Sequence, residues 1–319
     1  MTYKPQPVLR IYIPKPGSHK QRPLGIPTLE DKLVQAGLAK IVQAIYEQDF
    51  IDDSYGFRPG VGCHDALRAL NHTVEGQPVN TTVEADIKGF FDNVDQEQLM
   101  TFISYRIADK RILRIIKRFL KAGIQEDGRY KPSESGTPQG GVISPLLANI
   151  YLHYTLDLWF EKRIKRECQG FARMIRYADD YVACFQQVAD AHYFMQVMET
   201  RLKQFKLEVA PEKTKLLEFG IFAQQKARAR GERAATFDFL AFTHYCSRSR
   251  DGRRFRMKRK TISKRFTVKL IGYKEWLRSN KTLTTAEILK TTAAKLRGHF
   301  AYYGVSENSK ISAILPLSD

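Results

Sequence analysis

The chain has 319 residues, with 52 Lys and Arg against 34 Asp and Glu, a formal net charge of +18. An apolar content of 43% is enough for a sizeable core and excludes global disorder. No run reads as a membrane span, residues 1–10 lack the apolar stretch of a secretion signal, and four scattered Cys without zinc-ligand spacing are no disulfide framework.

Such a charge points to a polyanionic partner, with nucleic acid ahead of an anionic membrane. The reduced thiols fit a cytoplasmic setting, in a prokaryote or an organelle. The charge is uneven. Residues 223–319 hold 22 basic and 7 acidic residues, whereas residues 1–222 are nearly balanced at 30 against 27. The polar stretch 223–235 (AQQKARARGERAA) lies at the junction and reads as a linker.

Taken in chain order, residues 8–13 (VLRIYI) alternate as a strand that ends at the Pro14-Lys15-Pro16-Gly17 turn. Thr28, with Asp31 three residues on, starts a helix whose apolar stripe is Val34, Leu38, Ile41, Val42 and Ile45. Residues 81–87 read as a strand, and 96–122 as helical. Ser144-Pro145 is a helix start, with Ser as cap and Pro at the first helical position. That helix runs to about residue 159, although Asn149, His153 and Asp157 interrupt its apolar run.

Two strand patterns within 171–186 flank Asp179-Asp180, and an amphipathic helix follows from Ala191 to Phe205. Short strands are expected around Leu207 and Leu216. Phe237, Phe239, Ala241, Thr243 and Tyr245 then alternate as one arm of a hairpin with Asp251-Gly252 at its turn. Two helices close the chain, with stripes beginning at Ile262 and Leu289. This order gives an α+β body followed by a small, mostly helical unit.

Two acidic sites stand out: Asp86 at a strand end and Asp179-Asp180 at a hairpin tip. Brought together, three such carboxylates suit two divalent cations, which clamp the attacking and leaving oxygens of an in-line phosphoryl transfer. An isolated Asp pair in a turn more often only bonds the turn backbone. Asp92 and Asp95 read as surface and capping residues.

Tyr177-Ala178-Asp179-Asp180 resembles the catalytic box of reverse transcriptases, and it does not stand alone. Q-R-P-L-G-I-P (21–27), S-Y-G-F-R-P-G (54–60), A-D-I-K-G-F-F-D (85–92), G-T-P-Q-G-G-V-I-S-P-L-L-A-N (136–149) and P-E-K-T-K (211–215) occur in the same order as the blocks of the group II intron-encoded reverse transcriptase/maturase family. F-D-F-L-A-F-T-H (237–244), K-R-K-T (258–261) and L-R-G-H-F-A-Y-Y-G-V (296–305) resemble its thumb, or maturase, domain. The resemblance covers about residues 5–308.

It implies a right-hand polymerase: fingers and palm with an antiparallel sheet over 1–222, the linker at 223–235, a mainly helical thumb/maturase domain at 236–310 and a tail at 311–319. The implied activity is RNA-directed DNA synthesis from dNTPs on a DNA or RNA primer. Group II intron RNA is the implied template, and help with its splicing the second role. Two Mg²⁺ ions are implied, with Mn²⁺ as a substitute.

The resemblance makes Asp86 and Asp179 the main metal ligands, with the Ile87 carbonyl and Asp180 beside them. Lys15, Arg22, Gln139 and Lys213 fall to the incoming nucleotide. Phe91, or Phe90 in its place, becomes the ring that excludes a ribose 2′-OH. Nucleic acid contacts fall to Arg58, Gly140, Gly141, Lys258, Arg259, Lys260, Lys264, Arg265 and Lys269. The aromatics among these cations, Phe255, Phe266 and Tyr273, read as core rather than as base-stacking platforms. Compared with the family pattern, the first fingers block begins almost at Met1 and the DNA-binding and endonuclease regions are not expected. The alternative reading is a maturase-like RNA-binding protein with weak or no catalysis.

Overall fold

A computed structural model describes residues 3–14, 21–137 and 140–308; Lys15 and Gln139 lie outside the described residues. Strand β1 (Val8–Pro14) pairs with β2 (Gln21–Ile26), Ile13 opposite Arg22. Helix α1 (Leu29–Tyr46) starts as its sequence predicts, the Thr28 hydroxyl accepting from the Asp31 N–H at 3.2 Å. Leu38 and Val42 of its stripe are buried, but Ile41 is 51% exposed, so the stripe is narrower than the sequence suggests.

Helix α2 (Cys63–Gly76) precedes β3 (Thr81–Asp86) and the short α3 (Phe90–Asn93). The helical stretch expected over 96–122 is two helices, α4 (Gln96–Ser104) and α5 (Lys110–Leu120). The break is local chemistry: Asp95 caps α4 through the Gln98 N–H, and Asp109 caps α5 through the Arg111 N–H. Strands β4 (Ile124–Glu126) and β5 (Arg129–Lys131) complete a four-stranded sheet in the order β2-β1-β4-β5.

Helix α6 (Ser144–Leu152) has Ser144 as its first helical residue, after Ile143; Ser144 is not the cap. The helix continues through π-helical turns at His153–Asp157 and Phe160–Ile164 to α7 (Lys165–Glu167). π-turns of this kind often mark functional regions. Strands β6 (Ala172–Tyr177) and β7 (Asp180–Phe185) then form a hairpin, and α8 (Val188–Gln204) follows. Residues around Leu207 form no strand; only Val209 bridges to Ile87 before β8 (Lys215–Glu218). The central sheet has the order β6-β7-β3-β8, all antiparallel. Val83, Ala85, Tyr181, Ala183 and Phe185 face α6 and α8 in the main core, while Ile175, Val182 and Cys184 face a second core shared with α2. Each fully buried large side chain contributes about 1.5–3 kcal/mol.

The stretch 223–235, expected as a linker, opens with helix α9 (Ala223–Ala229). Alanine spacing explains it: Ala223 and Ala227 sit one turn apart and are both buried. Strands β9 (Thr236–Phe239), β10 (Phe242–Arg248) and β11 (Phe255–Thr261) form the third sheet, ordered β11-β10-β9. The alternation expected to run through Ala241 breaks there. Leu240 and Ala241 both have positive φ and form a turn, which reverses the chain and buries Phe242, His244 and Cys246. Helices α10 (Ser263–Ser279) and α11 (Thr285–Tyr303) end the described chain. Their stripes are not core: α10 has no fully buried residue, and Tyr303 alone is buried in α11. No helix among the described residues is long and apolar enough to cross a membrane.

Candidate active site

Asp86 ends β3 and lies directly opposite Asp180 at the start of β7. The Asp86 carbonyl accepts from the Ala210 N–H at 2.9 Å, so its hydrogen bonds run away from β7. Asp86 and Asp180 are therefore the non-hydrogen-bonded kind of cross-strand pair, in which side chains approach most closely. By the same alternation the Ile87 carbonyl lies on the hairpin's side. Asp179 occupies the two-residue tip with Ala178, whose φ of +57° is unusual for a residue with a Cβ. Three carboxylates thus converge from a strand end and a hairpin tip.

The electrostatics follow from that crowding. Burial pushes the Asp180 carboxyl up to about 7, and Asp86, Asp179 and Glu84 push in the same direction. Burial also raises Asp179, with Asp86 adding, while Lys213 and Arg22 pull it back. Both cations are therefore near enough to Asp179 for their charge to act on it. Lys213 forms an ion pair with Asp86, and the hydrogen bond raises the lysine's pKa. The site has too much negative charge for its own cations.

Among the described residues, no three His, Cys, Asp or Glu side chains are arranged as a ready metal cage. The donor chemistry nevertheless fits Mg²⁺ or Mn²⁺: hard carboxylate oxygens and a backbone carbonyl, crowded enough that each ionised group destabilises the next. Asp86 would exchange Lys213 for such an ion.

The two phenylalanines separate cleanly. Phe90 is 2% exposed, in the core against Tyr151, so it is not available as a gate. Phe91 is half-buried and lines a pocket with Arg10, Gly25 and Thr137. Gly140 has φ +106°, and a Cβ there would overlap the Gly25 carbonyl. Its missing side chain thus admits β2, an intramolecular neighbour, while Gly140 itself is exposed; Gly141 is buried and presents no open backbone to a nucleic acid.

Two further expectations are corrected. Arg58 is held inside, paired with Glu47 at 3.0 Å and donating to the Ile51 and Ser54 carbonyls at 2.7 Å each. Arg259 is 6% exposed, 3.4 Å from Glu307 and bonded to Asn71. Neither guanidinium is free for phosphate. Lys260, Lys264, Arg265 and Lys269 are exposed, and Lys258 is half-exposed. None of the five has a carboxylate partner among the described residues, though Lys269 lies 4.5 Å from the centre of the Tyr303 ring. Missed at the sequence level were Arg176, Asn149, Asp157 and Gly56, which support the hairpin tip from below. The signal available was the placing of Asn149 and Asp157 inside an apolar run.

Residues 13–244, well over half of the chain, match the family described as reverse transcriptase (RNA-dependent DNA polymerase). The chain belongs to the reverse transcriptase family. Among curated relatives, the group II intron-encoded protein LtrA of Lactococcus lactis is 51% identical over 152 residues, 48% of this chain and 25% of that protein. Protein YkfC of Escherichia coli is 42% identical over 154 residues, 47% of this chain and 40% of its own length. The chain therefore matches well under half the length of either relative.

A solved telomerase from Candida albicans, in complex with the TWJ fragment of telomeric RNA, overlays with a TM-score of 0.57 at 13% identity. The overlay covers 82% of this chain and 46% of that one. At that identity the likeness speaks for the fold alone, a right-hand polymerase with antiparallel sheets and flanking helices.

Proposed function

We propose that this chain is an RNA-directed DNA polymerase of the group II intron type, copying intron RNA from a DNA or RNA primer with dNTPs and assisting the splicing of that RNA. One observation carries the reading: Asp86 and Asp180 face each other across β3 and β7, with Asp179 on the tip beside them. Asp86, Asp179 and the Ile87 carbonyl, with Asp180 as a further carboxylate, would hold two Mg²⁺ ions, which when bound neutralise the attacking and leaving oxygens of the phosphoryl transfer. Mn²⁺ suits the same donors.

The chain's own residues supply the rest. Arg22 and Lys213, whose charges already act on Asp179, face a triphosphate bound there, and charge-assisted bonds to phosphate oxygens are strong. Lys15 and Gln139, outside the described residues, are assigned to the nucleotide by the family pattern alone. Phe91, half-buried at a pocket, is the ring that would exclude a ribose 2′-OH, favouring deoxynucleotides. The thumb of this reading is the stretch 236–310, where Lys258, Lys260, Lys264, Arg265 and Lys269 would grip phosphates. Primer extension on an RNA template is the test. Wild type should extend with dNTPs, and Phe91→Ala should gain incorporation of ribonucleotides. Extension by wild type equal to that of Asp179→Ala would refute the reading.

A further inference from the structure

Arg176 is fully buried in β6, one residue before the Tyr177-Ala178-Asp179-Asp180 segment. A buried guanidinium is costly unless all its donors are satisfied, and this one satisfies all five. Its Nε and Nη2 donate to the two Asp157 oxygens at 2.7 and 2.5 Å. Its Nη1 donates to Asn149 Oδ1 at 3.0 Å and to the Ala178 carbonyl at 2.8 Å. The remaining Nη2 proton goes to Ser54 Oγ at 2.7 Å. The backbone adds two more ties: the Arg176 N–H donates to the Asp53 carbonyl, and its carbonyl accepts from the Tyr55 N–H, each at 2.9 Å.

The parts joined in this way are otherwise separate in sequence. Ser54 belongs to the 54–60 loop, Asn149 to α6, Asp157 to the π-turn that follows, and Ala178 to the hairpin tip. Asn149 also donates to the Gly56 carbonyl at 2.5 Å. Gly56 in turn lies against the tip, where a Cβ would overlap the Ala178 amide nitrogen. Ala178 keeps its left-handed backbone while its carbonyl is anchored from below, and that backbone sets where Asp179 points.

We propose that Arg176 is a positioning residue for Asp179, fixing the hairpin tip against the 54–60 loop and α6. The proposal rests on the polymerase reading above for its catalytic consequence, but not for its structural one. An apolar pair of similar volume could fill the same space, so the value of Arg176 lies in the fixed geometry of its fork. Any displacement of α6 or the loop would reach Asp179 through one rigid group.

Arg176→Lys tests it. Lysine keeps a positive charge beside Asp157 but cannot reproduce the fork. The turnover number for primer extension should fall about tenfold or more, with KM for dNTP within about twofold, because positioning acts on the reacting geometry rather than on binding. Amide hydrogen exchange across residues 177–180 should quicken about tenfold, with exchange in β10 and β11 unchanged. If Arg176→Lys does not fold, Ser54→Ala removes one acceptor, leaves the ion pair in place and should move both readouts the same way by less. An inactive wild type whose tip exchange still quickens in the variant would retire the polymerase reading and uphold the positioning role. Turnover and tip exchange both unchanged from wild type would overturn the proposal.

Discussion

Arg176 and Arg265 carry the same charge in opposite circumstances. Arg176, in the central sheet, is fully buried with every donor bonded. Arg265, on α10, is exposed among Lys260, Lys264 and Lys269, with no carboxylate partner among the described residues. The regions around them differ likewise. The central sheet packs dense cores on both faces, while α10 has no fully buried residue. A catalytic centre needs carboxylates held in one geometry, and committed buried groups provide that. A surface for polyanions needs uncommitted cations, and an open helix provides those at little cost. Net charge alone hides this division, since Arg58 and Arg259 count toward it yet serve the interior.

The contrast can be broken from either side. The largest effect is expected at the carboxylates. Asp86→Ala should reduce nucleotide incorporation about a thousandfold or more, several kcal/mol of transition-state stabilisation, while RNA binding in a filter assay stays near wild type.

Next comes Arg176→Met, which strands the Asp157 charge in the core and should cost about 3–5 kcal/mol in urea unfolding. The third effect belongs to His244, buried and stacked on Phe237. Burial, with Arg259 adding, pushes its pKa down to about 3 from 6.5. The unfolded chain then binds the proton more readily than the folded one. His244's contribution is therefore complete above pH 6.5 and is lost as pH falls from 6.5 toward 3. Between pH 6.5 and 5 wild type should lose about 1.6 kcal/mol that His244→Phe retains, measured by urea unfolding at each pH.

The smallest effect on stability should follow neutralising Lys260, Lys264 and Arg265 to Ala, within about 0.5 kcal/mol. Their removal should nonetheless weaken RNA binding and lower its salt slope by about one for each phosphate no longer neutralised. A large loss of stability there would erase the contrast between the two regions.

Much of the candidate site was legible in the sequence because it is local. Asp86 ends an apolar strand, and Asp179-Asp180 sit between two, so strand periodicity and turn position locate them without a fold. Thr28 and Asp31 form a cap within one helical turn, and the cap was equally readable. The supports under the tip were not, because they depend on pairing at long range: Arg176 meets Ser54 across 122 positions of chain. Arg259 looked like one cation in a basic cluster, and only its burial beside Glu307 and Asn71 removes it from that role. Phe90 and Phe91 could not be separated until β3 fixed which ring enters the core. The turn at Leu240-Ala241 has no Gly, Asn or Pro to announce it, so the hairpin's register was read through it. The apolar stripes of α10 and α11 likewise say where apolar residues recur, not whether anything covers them.

Primer extension on an RNA template, comparing wild type with Asp179→Ala under Mg²⁺ and dNTPs, tests the central claim most directly. Wild type should build a DNA strand, and the variant, folded and still binding RNA, should fall by about a thousandfold or more. Equal extension by the two proteins would contradict the account.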